Sequence, residues 1–134
     1  MPKRKYGQNF LINQCIIKKI LTDIKINSQN ILEVGPGNLA LTKPILNKIP
    51  NRYVGIEIDK DFKTKINDKQ ILSNILFDDA LKVNERSLFH NQSFTIISNL
   101  PYNVSSQLLI KWCILQNDHP VSYTHLTLPT IVRV

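Results

Sequence analysis

The run Asn30-Ile31-Leu32-Glu33-Val34-Gly35-Pro36-Gly37 decides how this chain folds. A short, mostly apolar stretch stops at two glycines around a proline, which reads as a buried strand meeting a tight turn. From Leu39 to Lys48 the apolar residues return to helical spacing. Strand, glycine turn, helix is therefore the order here, and strands and helices alternate along the rest of the chain. Tyr53 to Ile58 is a second strand ended by Asp59, with a short helix over Asp61 to Ile66. Ile75 to Phe77 is a third strand, before Asp78 and Asp79. Phe94 to Ser98 is a fourth, ended by Asn99-Leu100-Pro101-Tyr102. Upstream, Ile16, Ile17, Ile20, Leu21 and Ile24 predict an amphipathic helix over Gln14 to Ile24. Downstream, Leu108, Leu109, Trp112 and Leu115 share one face of a helix over Val104 to Leu115. Strands apolar on both faces, alternating with helices, imply a parallel sheet covered on both sides. The fold class is α/β, Rossmann-like.

At 134 residues there is room for one domain, and 43% hydrophobic content makes it globular. The net charge of +7 suits a polyanionic partner, although the Lys, Asn and Ile usage of an AT-rich genome accounts for it equally well. Lys3, Arg4 and Lys5 form the sharpest basic cluster. Cys15 and Cys113 match no metal or redox spacing, so reduced thiols and no metal are expected. No apolar run nears the roughly 20 residues that span a bilayer, and the first ten residues lack an apolar signal core. A cytoplasmic protein without membrane contact is the expectation.

In open parallel sheets ligands bind outside the carboxyl ends of the strands. The polar residues there are Gly35 and Gly37, Glu57 and Asp59, Asp78 and Asp79, and Asn99 with Tyr102. Glycines let the backbone approach a ligand where a Cβ would clash. Glu57, at the second strand end, can accept hydrogen bonds from both ribose hydroxyls of an adenosine-type cofactor. This pattern fits a nicotinamide cofactor as well as S-adenosylmethionine. Asp79 can receive a cofactor's adenine amino group, or equally cap the segment at Leu81. In Asn99-Leu100-Pro101-Tyr102, the amide oxygen and a main-chain carbonyl can accept from an exocyclic amino group. They would aim its lone pair at an electrophilic methyl. Pro101 stiffens the turn, and Tyr102 offers a face for a base, where stacking contributes about 1–3 kcal/mol. Positioning would supply most of the rate. Nothing beside the fourth strand suits hydride transfer.

With these residues in view, the chain resembles the ribosomal RNA adenine N6-dimethyltransferases of the KsgA/RsmA-like family, relatives of the erythromycin-resistance methylases. The resemblance rests on Lys5-Tyr6-Gly7-Gln8-Asn9-Phe10-Leu11, Glu33-Val34-Gly35-Pro36-Gly37 with Leu41-Thr42, and Gly55-Ile56-Glu57-Ile58-Asp59. Asp79-Ala80-Leu81 and Asn99-Leu100-Pro101-Tyr102-Asn103-Val104-Ser105 complete it. It implies a Rossmann-like methyltransferase fold and S-adenosylmethionine as cofactor. Asn9 and Leu11 would lie over the methionine end, Gly35 in the loop, Glu57 on the ribose and Asp79 on the adenine. Asn99 would bridge cofactor and target, and Tyr102 would stack on a flipped adenine. Lys3, Arg4 and Lys5 would contact RNA phosphates. The implied reaction is dimethylation of two adjacent adenines near the 3′ end of small-subunit (16S) RNA, in an immature 30S particle, by a monomer. A large-subunit methylase of the erythromycin-resistance type, or a non-catalytic RNA-binding relative, remains open.

The pattern breaks near residue 120. Family members continue with further strands and a helical domain, whereas residues 121–134 match nothing in the family. That stretch resembles a translated sequencing adapter: gtc-tct-tat-aca-cat-ctg-acg-ctg-ccg-acg encodes Val121 through Thr130. Residues 1–120 are therefore expected to be the N-terminal part of a methyltransferase domain, with 121–134 a non-native tail. Only about four parallel strands are expected, with the fourth at an edge unless Ser122 to Leu128 pairs with it. A chain so shortened is expected to be inactive.

Overall fold

A computed structural model of the chain describes residues 18, 21–22, 26–98, 102–117, 123–125 and 130–133. Four parallel strands, β1 (Asn30–Val34), β2 (Arg52–Glu57), β3 (Ile75–Phe77) and β4 (Thr95–Ser98), form the centre of one sheet. Two more strands, β5 (Tyr123–His125) and β6 (Thr130–Arg133), complete the order β3-β2-β1-β4-β6-β5. Five helices are described: α1 (Thr42–Asn47), α2 (Phe62–Lys65), α3 (Lys69–Ser73), α4 (Glu85–Leu88) and α5 (Tyr102–Asn117).

All five residues of β1 are buried, as a strand covered on both faces requires. Leu32 and Val34 point to one side, where Val54, Ile56, Phe89, Phe94, Ile96, Leu108 and Trp112 pack. Ile31 points to the other, with Leu21, Ile26, Leu41, Ile45, Tyr53 and Ile97. The rings of Phe89 and Phe94 stack at 4.9 Å between centroids. Each such side chain stabilises the fold by about 1.5–3 kcal/mol through removal from water.

Several element bounds differ from the sequence reading. The helix after the glycines starts at Thr42 rather than Leu39, because Leu39 takes φ 69° and its N–H donates to the Pro36 carbonyl in a turn. Neither α3 nor α4 was expected from the sequence. Asp68 caps α3, its Oδ1 accepting from the N–H groups of Gln70 and Ile71. The last helix begins at Tyr102, two residues before Val104, so Tyr102 opens a helix instead of closing a turn. Of the expected helix over 14–24, Lys18, Leu21 and Thr22 are described and helical, and the rest lies outside the described residues.

The fourth strand is not an edge. Thr130–Arg133 pairs antiparallel with it, Ile97 opposite Ile131, and Tyr123–His125 pairs outside that. The strand on β4 is thus not the expected Ser122 to Leu128 segment. Among the described residues, no helix is long and apolar enough to cross a membrane.

Candidate cofactor site

The carboxyl ends of β1, β2 and β4 come together on one edge of the sheet, because the strands are parallel and in close register. Val34 is paired with Ile56 on one side and with Ser98 on the other. The residues that follow them are Gly35, Glu57 and Asn99. Gly35 and Gly37 both have positive φ, 78° and 53°, a conformation that costs glycine nothing and other residues about 1–2 kcal/mol.

Glu57 closes this loop. Its Oε1 accepts from the Gly37 N–H at 2.9 Å and its Oε2 from the Asp59 N–H at 2.9 Å. The spacing of glycine and acid in the sequence is therefore a hydrogen bond in the fold. Burial pushes the Glu57 carboxyl up from its ordinary range, while the N–H groups of Asp59 and Gly37 pull it back. The Ile58 N–H adds a third backbone donor to the same carboxylate.

Asp59 is 2% exposed, with Oδ1 accepting from the Asp61 N–H at 3.0 Å. Its Oδ2 is buried and takes no donor among the described residues. Between the two acids, Ile58 is 42% exposed, an apolar surface beside the ribose-type acceptor. Asp79 lies at the end of β3, half-buried, with Oδ1 accepting from the Leu81 N–H at 3.0 Å. Asp78 accepts in turn from the Asp79 N–H. The capping bond considered for Asp79 is thus present, and one oxygen remains for a ligand donor. These acceptors, the positive-φ glycine loop and the apolar Ile58 fit an adenosine-type cofactor.

Other expected site residues lie outside the described residues: Asn9, Leu11, Asn99, Leu100 and Pro101, with the basic Lys3, Arg4 and Lys5. Tyr102 is described only as the first residue of α5. The strand register places Ser98, immediately before Asn99, opposite Val34, immediately before Gly35.

Sequence reasoning missed two polar networks. Lys111 Nζ donates to the carbonyls of Ala80 and Val83, both at 2.6 Å, and pairs with Glu85 at 3.0 Å. Trp112 Nε1 donates to the same carboxylate at 3.1 Å. Beneath the loop, the hydroxyls of Thr42 and Tyr53 both donate to Glu33. A charged residue in an otherwise apolar strand was the available signal for Glu33. For Lys111 there was none.

Four parallel strands with this loop and acidic strand ends define a Rossmann-like α/β domain. The sequence profile of the family "Ribosomal RNA adenine dimethylase" matches residues 2–133, and the chain belongs to that family. It is 38% identical over 114 residues to ribosomal RNA small subunit methyltransferase A of Mycoplasmoides gallisepticum, covering 83% of this chain and 42% of that protein. It is 41% identical over 113 residues to the protein of the same name from Legionella pneumophila, covering 81% and 43%. The chain thus spans less than half the length of the curated relatives it matches. Among solved structures, a dimethyladenosine transferase from Plasmodium falciparum superposes with TM-score 0.63 at 27% identity, covering 84% of this chain and 40% of that one. A putative RNA methyltransferase from Pyrococcus horikoshii shares the fold, with TM-score 0.51 at 12% identity, covering 99% and 88%.

Proposed function

We propose that this chain carries the cofactor-binding part of an S-adenosylmethionine-dependent enzyme that dimethylates N6 of adenines in small-subunit ribosomal RNA. The observation that carries the reading is the Gly37–Glu57 bond, which sets a glycine loop and a ribose-type acceptor side by side at the strand ends. Family membership supports the substrate class, and the names of the relatives favour the small subunit over the large. The target would be the two adjacent adenines near the 3′ end of 16S RNA in an immature 30S particle.

In this reading Glu57 holds the ribose, Gly35 and Gly37 let the backbone approach the cofactor, Asp79 takes the adenine amino group, and Asn9 and Leu11 cover the methionine end. The cofactor, when bound, supplies an electrophilic methyl on a sulfonium. Asn99 and a main-chain carbonyl of its motif accept from the target amino group and fix its lone pair. Leu100 and Pro101 hold that turn, and Tyr102 stacks on the extruded base. Lys3, Arg4 and Lys5 neutralise RNA phosphates. The test is Asn99→Ala in a protein of the relatives' full length. Methyl transfer to 30S particles should be lost while cofactor affinity falls only modestly, and wild-type turnover would sink the assignment.

Residues 121–134 are read, in the same proposal, as foreign to the domain of residues 1–120. The family match through residue 133 and the pairing of Thr130–Arg133 with β4 favour the opposite reading. The genomic DNA past the codon for His119 decides between them.

A further inference from the structure

Directly under the glycine loop lies a polar cluster that the proposed reaction does not use. Glu33 is 1% exposed, and its Oε1 accepts from the Thr42 hydroxyl at 2.5 Å and the Tyr53 hydroxyl at 2.7 Å. Glu33 lies two residues before Gly35, and Thr42 opens α1 beyond the loop. Both ends of the loop therefore meet at one carboxyl. Tyr53 reaches it by crossing Gly55, where a Cβ would stand 2.9 Å from the phenol oxygen and 3.4 Å from Pro36 Cγ in the loop itself. An acid buried in a central strand is costly, and here its partners are all attached to the loop or its supports.

We propose that Glu33, acting through Thr42 and Tyr53, is the positioning residue of the glycine loop, and that the proton it carries is coupled to the loop's shape. Burial pushes the Glu33 carboxyl up to about 7, against the pull of the Thr42 and Tyr53 hydroxyls, and the Glu57 carboxylate pushes it up further. The groups facing it come from every neighbouring element. From α1 comes uncharged Thr42, from β2 come Tyr53 and Glu57, and Ile97 of β4 with Leu21 and Ile26 is apolar. Among the described residues no cation pairs with it. Tyr53 is itself pushed well above the ordinary phenol range and stays a donor throughout.

Losing the proton places a second negative charge near Glu57, which holds the Gly37 N–H. The two anchors of the loop then repel each other, and a cation over the loop relieves the repulsion. On the reading of the previous subsection, that cation is the sulfonium and ammonium of S-adenosylmethionine. The proton leaves the Glu33 carboxyl for solvent and the carboxylate remains. If only the ionised form seats the cation, affinity tightens about tenfold from one pH unit below the midpoint to one unit above.

The deciding experiment follows the Gly35 and Gly37 amides of the whole chain by NMR from acid to alkaline pH. Both should shift in one transition near neutrality, which disappears in Glu33→Gln. Tyr53→Phe should keep the transition but move it to higher pH, because the lost donor favoured the ionised form. No transition in the wild type, or the same transition in Glu33→Gln, overturns the coupling. Calorimetry with S-adenosylmethionine supplies the second readout: about tenfold tighter binding across the transition in the wild type and less than twofold in Glu33→Gln. Equal pH dependence in both would overturn the link to the ligand. Absence of binding at every pH, with the Glu33-dependent transition intact, sinks the proposed cofactor and upholds the coupling.

Discussion

Glu57 fixes the loop through the Gly37 N–H and, in the proposed function, also accepts from the ribose of the cofactor. Glu57→Ala should weaken S-adenosylmethionine binding by about 1.5–3 kcal/mol, the range for hydrogen bonds to a charged acceptor. An unchanged dissociation constant by calorimetry would remove Glu57 from the site. Glu33 leads to a prediction on stability. Its folded value of about 7 lies above the ordinary 4.5, so between these values the native chain holds a proton that the unfolded chain releases. Stability is then full below the unfolded value and falls as pH rises through the folded one, by about 3 kcal/mol at most. Urea unfolding of Glu33→Gln should lack that decline, since the amide can still accept from Thr42 and Tyr53. A decline as steep as in the wild type would show that another group is responsible. Of the residues in play, Glu57 could be picked from its position after a strand. Glu33 could not be given a partner, because Thr42 and Tyr53 lie nine and twenty residues away.

At the scale of elements, α5 is tied to the segment after β3 by a lysine whose three donors all have acceptors in Ala80, Val83 and Glu85. This joins the helix that follows the Asn99 motif to the loop that carries Asp79. Lys111→Met keeps the stem but leaves the buried Glu85 carboxylate with only the Trp112 N–H among these partners. The cost should be about 1–3 kcal/mol in urea unfolding, discounted for the partial exposure of the lysine. A change below about 0.5 kcal/mol, as for an ordinary surface substitution, would mean the network is incidental. The helix itself was readable from Leu108, Leu109, Trp112 and Leu115, of which Leu108 and Trp112 are buried and the other two pack against the same cluster. Its start was not, because Pro101 suggested a turn that would include Tyr102. The short α3 and α4 escaped notice because neither carries a repeating apolar face; Asp68 caps α3, and no side chain caps α4.

Across the whole molecule, β4 is flanked by β1 and β6, and the second of these belongs to the segment whose origin is in question. Removing residues 121–134 would leave the buried backbone of Thr95–Ser98 open on one side, and an unpaired apolar strand recruits other chains. Light scattering should show the shortened chain associating where the full chain does not, and a shortened chain that stays monomeric would show that β6 contributes little cover. By itself the sequence determined the α/β class, the existence of four strands and the strand-end position of Gly35, Gly37, Glu57 and Asp79. It could do so because buried apolar strands and the polar or glycine residues that end them are local patterns. Only the tertiary structure decided that Glu57 is bound to Gly37, that Glu33 gathers Thr42 and Tyr53 beneath the loop, and that Thr130–Arg133 rather than Ser122–Leu128 lies on β4. Those choices depend on register and on which side chains meet across strands, and separation along the chain encodes neither.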